Sequence, residues 1–133
     1  MTWHRTVDDI ESAGSHVLLD YVNYKRGETG DGEWVLSVLR ECVRESRVRE
    51  VHSHVEIFDG EDSPPGFAAV VLIDESHLTA HCYSDRGILA VDVFTCGDSD
   101  PSEIAAMIND VLVSEIPGLR RVFEKRVERF RSD

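Results

Sequence analysis

From residue 14 onward the chain alternates between apolar runs and polar breaks. "HVLLDYVNY" (16–24) is rich in Val, Leu and Tyr and short enough for a strand. "KRGETGDG" (25–32) is a loop of glycines among charges. In "EWVLSVLRECVRESR" (33–47) the apolar residues fall at 34, 35, 38, 39, 42 and 43, the stripe of an amphipathic helix. "VREVHSHVEIF" (48–58) alternates weakly and favours a strand, and "DGEDSPPG" (59–66) is a loop. "FAAVVLID" (67–74) is a continuous apolar run, which predicts a central, buried strand. In "HLTAHCY" (77–83), Leu78, Ala80 and Cys82 share one face, and His77, Thr79, His81 and Tyr83 the other. The turn "SDRG" (84–87) leads into "ILAVDVFT" (88–95) as an antiparallel hairpin. Asp100, Pro101 and Glu103 give an N-cap, a first-position proline and an acid three residues on. They start a helix that runs to about Glu115, with Ile104, Ile108, Val111 and Leu112 on one face and Pro117-Gly118 as its stop. The tail "LRRVFEKRVERFRSD" fits helix and strand about equally.

Consecutive strands with short connections, flanked by two helices, predict an α+β two-layer sandwich: a mainly antiparallel sheet with helices on one face. The 133 residues suit a single domain over 1–133, and 41% hydrophobic with 30% charged residues is an ordinary soluble composition. Acidic residues outnumber basic ones 26 to 14, for a net charge of -12. That balance argues against nucleic acid or an anionic membrane as partner, since phosphate binding needs a basic footprint. It suits either a cationic small molecule or simple solubility. Three cysteines (Cys42, Cys82, Cys96) with no C-x-x-C spacing point to a reducing cytoplasm rather than a disulfide framework. The opening "MTWHRTVDDIES" lacks the apolar core of a signal peptide, and no run approaches a bilayer span.

Chemistry concentrates at "LIDESHLTAHCY" (72–83), where a carboxylate, a hydroxyl and two imidazoles meet the junction of two strands. Either this is a polar solvent-facing turn, or it is a reactive site. There is no G-x-S-x-G elbow, so a serine hydrolase is not indicated. His52 and His54 form an H-x-H pair with both rings on one face, a spacing a metal can use. No H-E-x-x-H helix or carboxylate triad accompanies them, and no metal is expected. Cys96, before Gly97, reads as a small residue at a turn or as an acid or nucleophile at a sheet rim.

"DESHLTAH" (74–81), "AVDVFTCGD" (90–98) and "GSHVLLDYVNY" (14–24) together resemble the small prokaryotic S-adenosylmethionine decarboxylases, pyruvoyl enzymes of polyamine synthesis. The likeness spans roughly residues 14 to 115. It is most specific at Glu-Ser-His-x-x-x-His (75–81) and Val-Asp-x-Phe-Thr-Cys-Gly (91–97). It implies self-cleavage between Glu75, which supplies the scissile carbonyl, and Ser76, whose hydroxyl attacks it. The cofactor is then a pyruvoyl group generated from Ser76, which forms a Schiff base with the substrate amine and accepts the electrons left by decarboxylation. His81 would assist the elimination step of processing, and Cys96 would return a proton to the α carbon. His77 is assigned structure close to the site, with no further role, and His4, His16, His52 and His54 are read as ordinary. The resemblance also implies a homodimer with pockets near the protomer interface.

The chain departs from the family pattern in two places. Where Pro-x-Gly-Val-Ser-Gly is usual, it has "PPGFAA" (64–69), so Ala68 replaces a serine that helps cleavage. Where Trp-Pro-Glu is usual, it has Tyr83, Ser84 and Asp85; Tyr83 and Asp85 keep an aromatic face for adenine and a carboxylate for ribose. The adenine-stacking Phe corresponds to Asp62 without gaps, or to Phe58 if the loop carries an insertion. Asp62 in the pocket would favour a cationic side chain, so arginine or ornithine is an alternative substrate. Ala68 motivates a further alternative, a non-cleaving relative that binds a ligand or partner.

Overall fold

The computed structural model describes residues 14–97 and 99–130. The elements run β1 (Gly14–Val22), α1 (Asp31–Glu45), β2 (Glu50–Phe58), β3 (Gly66–Ile73), β4 (Ser76–Tyr83), β5 (Ile88–Cys96), α2 (Pro101–Glu115) and β6 (Arg120–Arg129). The strands form one sheet of order β2-β3-β4-β5-β1-β6, with every neighbouring pair antiparallel. α1 packs over β2, β3 and β4, and α2 over β5 and β1, both on the same face. This is the predicted α+β sandwich.

The helices form for the reasons their sequences give. The Asp100 side chain accepts a hydrogen bond of 2.9 Å from the Ser102 N–H, and Pro101 fills the first turn of α2. Asp31 and Glu33 sit in the first turn of α1 and Arg44 in its last, matching the helix dipole. The stripe Val35, Val38, Leu39, Cys42 and Val43 is buried, as are Ile104, Ile108 and Leu112 of α2. Each such aliphatic contributes roughly 1.5–3 kcal/mol. Val111, expected on that face, is instead exposed. It lies one position round the helix from Leu112, beyond the reach of the sheet.

Strand alternation splits the sheet into two unlike faces. Val17, Leu19, Tyr21, Phe67, Ala69, Val71, Leu78, Ala80, Leu89, Val91 and Val93 point under the helices and are buried. Among the described residues, no helix lies over the opposite face. The run in β3 was expected to be buried on both sides, yet Leu72 is 41% exposed. β3 is an interior strand, but among the described residues only its helix side is covered. The tail resolves as strand β6, which among the described residues is an edge strand paired with β1.

Candidate active site

β3 and β4 are joined by the tightest of hairpins. Ile73 pairs with Ser76, leaving Asp74 and Glu75 as the turn. Glu75 has φ 61°, in the left-handed region that such turns normally give to Gly or Asn. Holding a glutamate there costs about 1–3 kcal/mol, and such strain persists only where the surroundings enforce it. The next residue, Ser76, begins β4 on the helix side of the sheet and is only 8% exposed. Its Oγ accepts a hydrogen bond of 2.9 Å from the backbone N–H of Cys96, at the end of β5. The two motifs therefore meet in space, with the Glu75-Ser76 peptide next to the cysteine strand.

Cys96 is a free, partly exposed thiol. Gly14 pairs with it across β1 and β5. A Cβ on Gly14 would lie 3.3 Å from Cys96 Sγ and 3.2 Å from both Phe94 Cε1 and the Thr95 carbonyl oxygen. The absent side chain leaves the sulfur its place.

On the open face beside this corner, register brings His77, Phe94 and His16 into one row. Ring centroids are 5.4 Å apart for His77 and Phe94, 5.9 Å for His16 and Phe94, and 6.3 Å for His16 and His77. Asp92 Oδ1 is 3.6 Å from His16 Nε2, and Thr79 Oγ1 donates to Asp92 Oδ2 at 3.1 Å. Burial and the neighbouring His16 push the His77 imidazole below its ordinary pKa, with Asp92 opposing them. The sequence reading gave His16 no part in this cluster. Its place three strands away in the chain but two in the sheet shows only once β1 is known to lie beside β5.

The remaining candidates lie elsewhere in the protomer. His81 projects from the open face between Ala68 and Ala90, five residues along β4 from Ser76, or roughly 16 Å at about 3.3 Å per residue. Tyr83 ends β4, pairing with Gly66, whose other partner is Phe58. Asp85 lies in the following turn and Asp62 in the loop between β2 and β3, both exposed. Tyr83, Asp85, Phe58 and Asp62 thus gather at the opposite end of the strands, with Tyr83 roughly 23 Å from Ser76 along β4. Of the other histidines, His52 and His54 are exposed on edge strand β2, and His54 Nε2 contacts Glu56 at 2.9 Å. His4 lies outside the described residues. Among the described residues no group of three or more His, Cys, Asp or Glu could hold a metal ion, and no helix is long and apolar enough to cross a membrane.

A model of the S-adenosylmethionine decarboxylase family matches residues 15–122, most of the chain. The chain belongs to this family. The S-adenosylmethionine decarboxylase proenzyme of Bacillus velezensis is 33% identical over 105 residues, covering 77% of this chain and 79% of that one. The proenzyme of a Geobacillus species is 30% identical over 128 residues, 90% of this chain and 98% of the relative. The crystal structure of the adenosylmethionine decarboxylase from Aquifex aeolicus superposes with a TM-score of 0.67 at 25% identity, over 90% of this chain and 92% of that one. The matched residues include the Glu75-Ser76 corner and Cys96.

Proposed function

We propose that this chain is a proenzyme that cuts itself between Glu75 and Ser76 and then decarboxylates S-adenosylmethionine, feeding spermidine synthesis. The observation that carries this reading is the Ser76 hydroxyl, buried beside a left-handed Glu75 and held by the Cys96 N–H.

Those residues suit the making of a pyruvoyl group in place. The Ser76 Oγ attacks the Glu75 carbonyl carbon, the C–N bond breaks, and the hydroxyl proton passes to the freed nitrogen, leaving an ester. Loss of the Ser76 Cα proton then expels the Glu75 carboxylate from Cβ. The dehydroalanine that remains takes up water and releases ammonia. The carbonyl so made supplies the electron sink that decarboxylation of an amino acid requires. In this reading Cys96 holds the proton that returns to the α carbon, and its strand end is tied to residue 76 through the backbone N–H.

His81 and the pocket residues act across a dimer in this reading. One protomer cannot place His81, Tyr83 and Ser76 on the same small substrate. Two sheets stacked by their open faces, about a two-fold axis running across the strands, lay the Tyr83 end of one over the Ser76 end of the other. The uncovered Leu72, at 41% exposure, and Tyr83, at 44%, support a partner on that face. The three free thiols suit a reducing cytoplasm.

Ala68 favours one second reading. It sits directly beside His81, where the family's helper hydroxyl would stand, and a methyl group can hold no proton. The chain in that reading is a non-cleaving binder. Intact mass of the purified protein separates the two. Two fragments divided at 75/76, with release of labelled carbon dioxide from S-adenosylmethionine, bear out the first reading. Release from arginine or ornithine instead reassigns the substrate, and a single uncut species that persists moves the binder to the front.

A further inference from the structure

The Asp74-Glu75 turn is pinned from outside the hairpin. The Arg49 guanidinium grips the Asp74 carboxylate through Nη2 at 2.6 Å and Nε at 3.0 and 3.2 Å, a bidentate fork. The Asp74 N–H also donates to the Arg49 carbonyl at 3.2 Å. Arg49 stands just ahead of β2, so it reaches the turn from the neighbouring strand. On the other side, Ser76 is fixed by its pairing with Ile73 and by the Cys96 N–H. Glu75 is thus a left-handed, non-glycine residue between two anchored neighbours.

We infer that Arg49 and Asp74 form a clamp that keeps Glu75 in its strained conformation and thereby speeds self-cleavage of the Glu75-Ser76 peptide. The inference rests on the processing reading above. A turn free to relax would move Glu75 out of the left-handed region, and the strain would be dissipated before the bond breaks. With residue 74 held by both side chain and backbone, the strain is relieved only by cutting the chain. Arg49 and Asp74 are positioning residues, because neither touches the reacting atoms. Both are largely exposed, so their effect on fold stability is small and salt screens it.

The test follows the conversion of freshly made, uncut protein to fragments by mass spectrometry. Arg49→Ala and Asp74→Ala should each slow cleavage about tenfold, with a melting temperature close to that of the natural chain. The exchanged pair Arg49→Asp with Asp74→Arg should recover most of the rate. High salt should slow the natural chain toward the variants and leave the variants unchanged. Glu75→Gly, which removes the strain, should also be slow, and adding Arg49→Ala to it should slow it no further. A purely structural ion pair would give additive losses. Single variants that cleave at the natural rate, or an exchanged pair no faster than the singles, overturn the clamp alone. A natural chain that never splits overturns the processing reading and the clamp with it.

Discussion

The Ser76 hydroxyl oxygen accepts its hydrogen bond from the main chain of Cys96, not from the thiol. The proposed nucleophile and proton donor are therefore coupled through backbone, and the two proposed roles can be separated by substitution. Cys96→Ala keeps the N–H and should keep cleavage, whereas turnover should fall by about 10²–10⁴, the usual worth of a general acid. Fragment masses and carbon dioxide release from the same preparation check this. Full turnover in Cys96→Ala would assign the proton to another group.

Ser76→Ala removes the attacking oxygen and leaves the strained corner intact. The expected product is one uncut chain with no decarboxylase activity. Fragments at 75/76 in that variant would show that the bond is broken by some other nucleophile.

Gly14→Ala tests the packing behind the thiol. Its Cβ would press on Cys96 Sγ, Phe94 and the Thr95 carbonyl together. The sulfur is the atom with room to move, so turnover should drop roughly tenfold, because misplacing a reacting group is costly. Cleavage should be affected less. Steady-state kinetics on the fully processed variant measures the effect.

His77 gives stability a dependence on acidity. Its folded pKa lies below the ordinary 6.5, so in the window under 6.5 the unfolded chain binds the proton and the folded chain resists it. Stability contributed by the neutral ring is full above that value and is lost as pH falls through the window. Burial of the ring is the main cause, reinforced by His16 and opposed by Asp92. Urea melts between about pH 5 and 7.5 should show this loss, and His77→Gln should flatten it. An equally steep profile in the variant would place the effect elsewhere.

The distance between His81 and Ser76 within a protomer makes a mixing experiment decisive for the dimer. His81→Ala has a cleavable serine but no histidine; Ser76→Ala has the histidine but cannot be cut. Alone, His81→Ala should stay whole or cut slowly, and Ser76→Ala should stay whole. Co-expressed, they should form mixed dimers in which the His81→Ala chain is cut by its partner's imidazole. Absence of rescue, in mixed dimers shown to form, would confine His81 to its own chain.

Local order alone determined much of this protein. The apolar stripe of α1, the Asp100-Pro101 start of α2, the glycine and proline loops and the alternation in β4 all depend on residues close in sequence, and each predicted element is present. The candidate pair Glu75-Ser76 and the Cys96 strand could be read as motifs for the same reason. Tertiary structure decided what depends on which strands are neighbours. β1 lies between β5 and β6, which makes an ambiguous tail into an edge strand and sets His16 beside Phe94 and His77. The left-handed φ of Glu75 is invisible in a sequence that offers no glycine there. It exists because Ile73-Ser76 pairing and the Arg49 contact from another strand leave the turn no other path. The separation of Tyr83 and His81 from Ser76 follows from an extended strand, whose rise per residue carries groups close in sequence to opposite ends of the sheet.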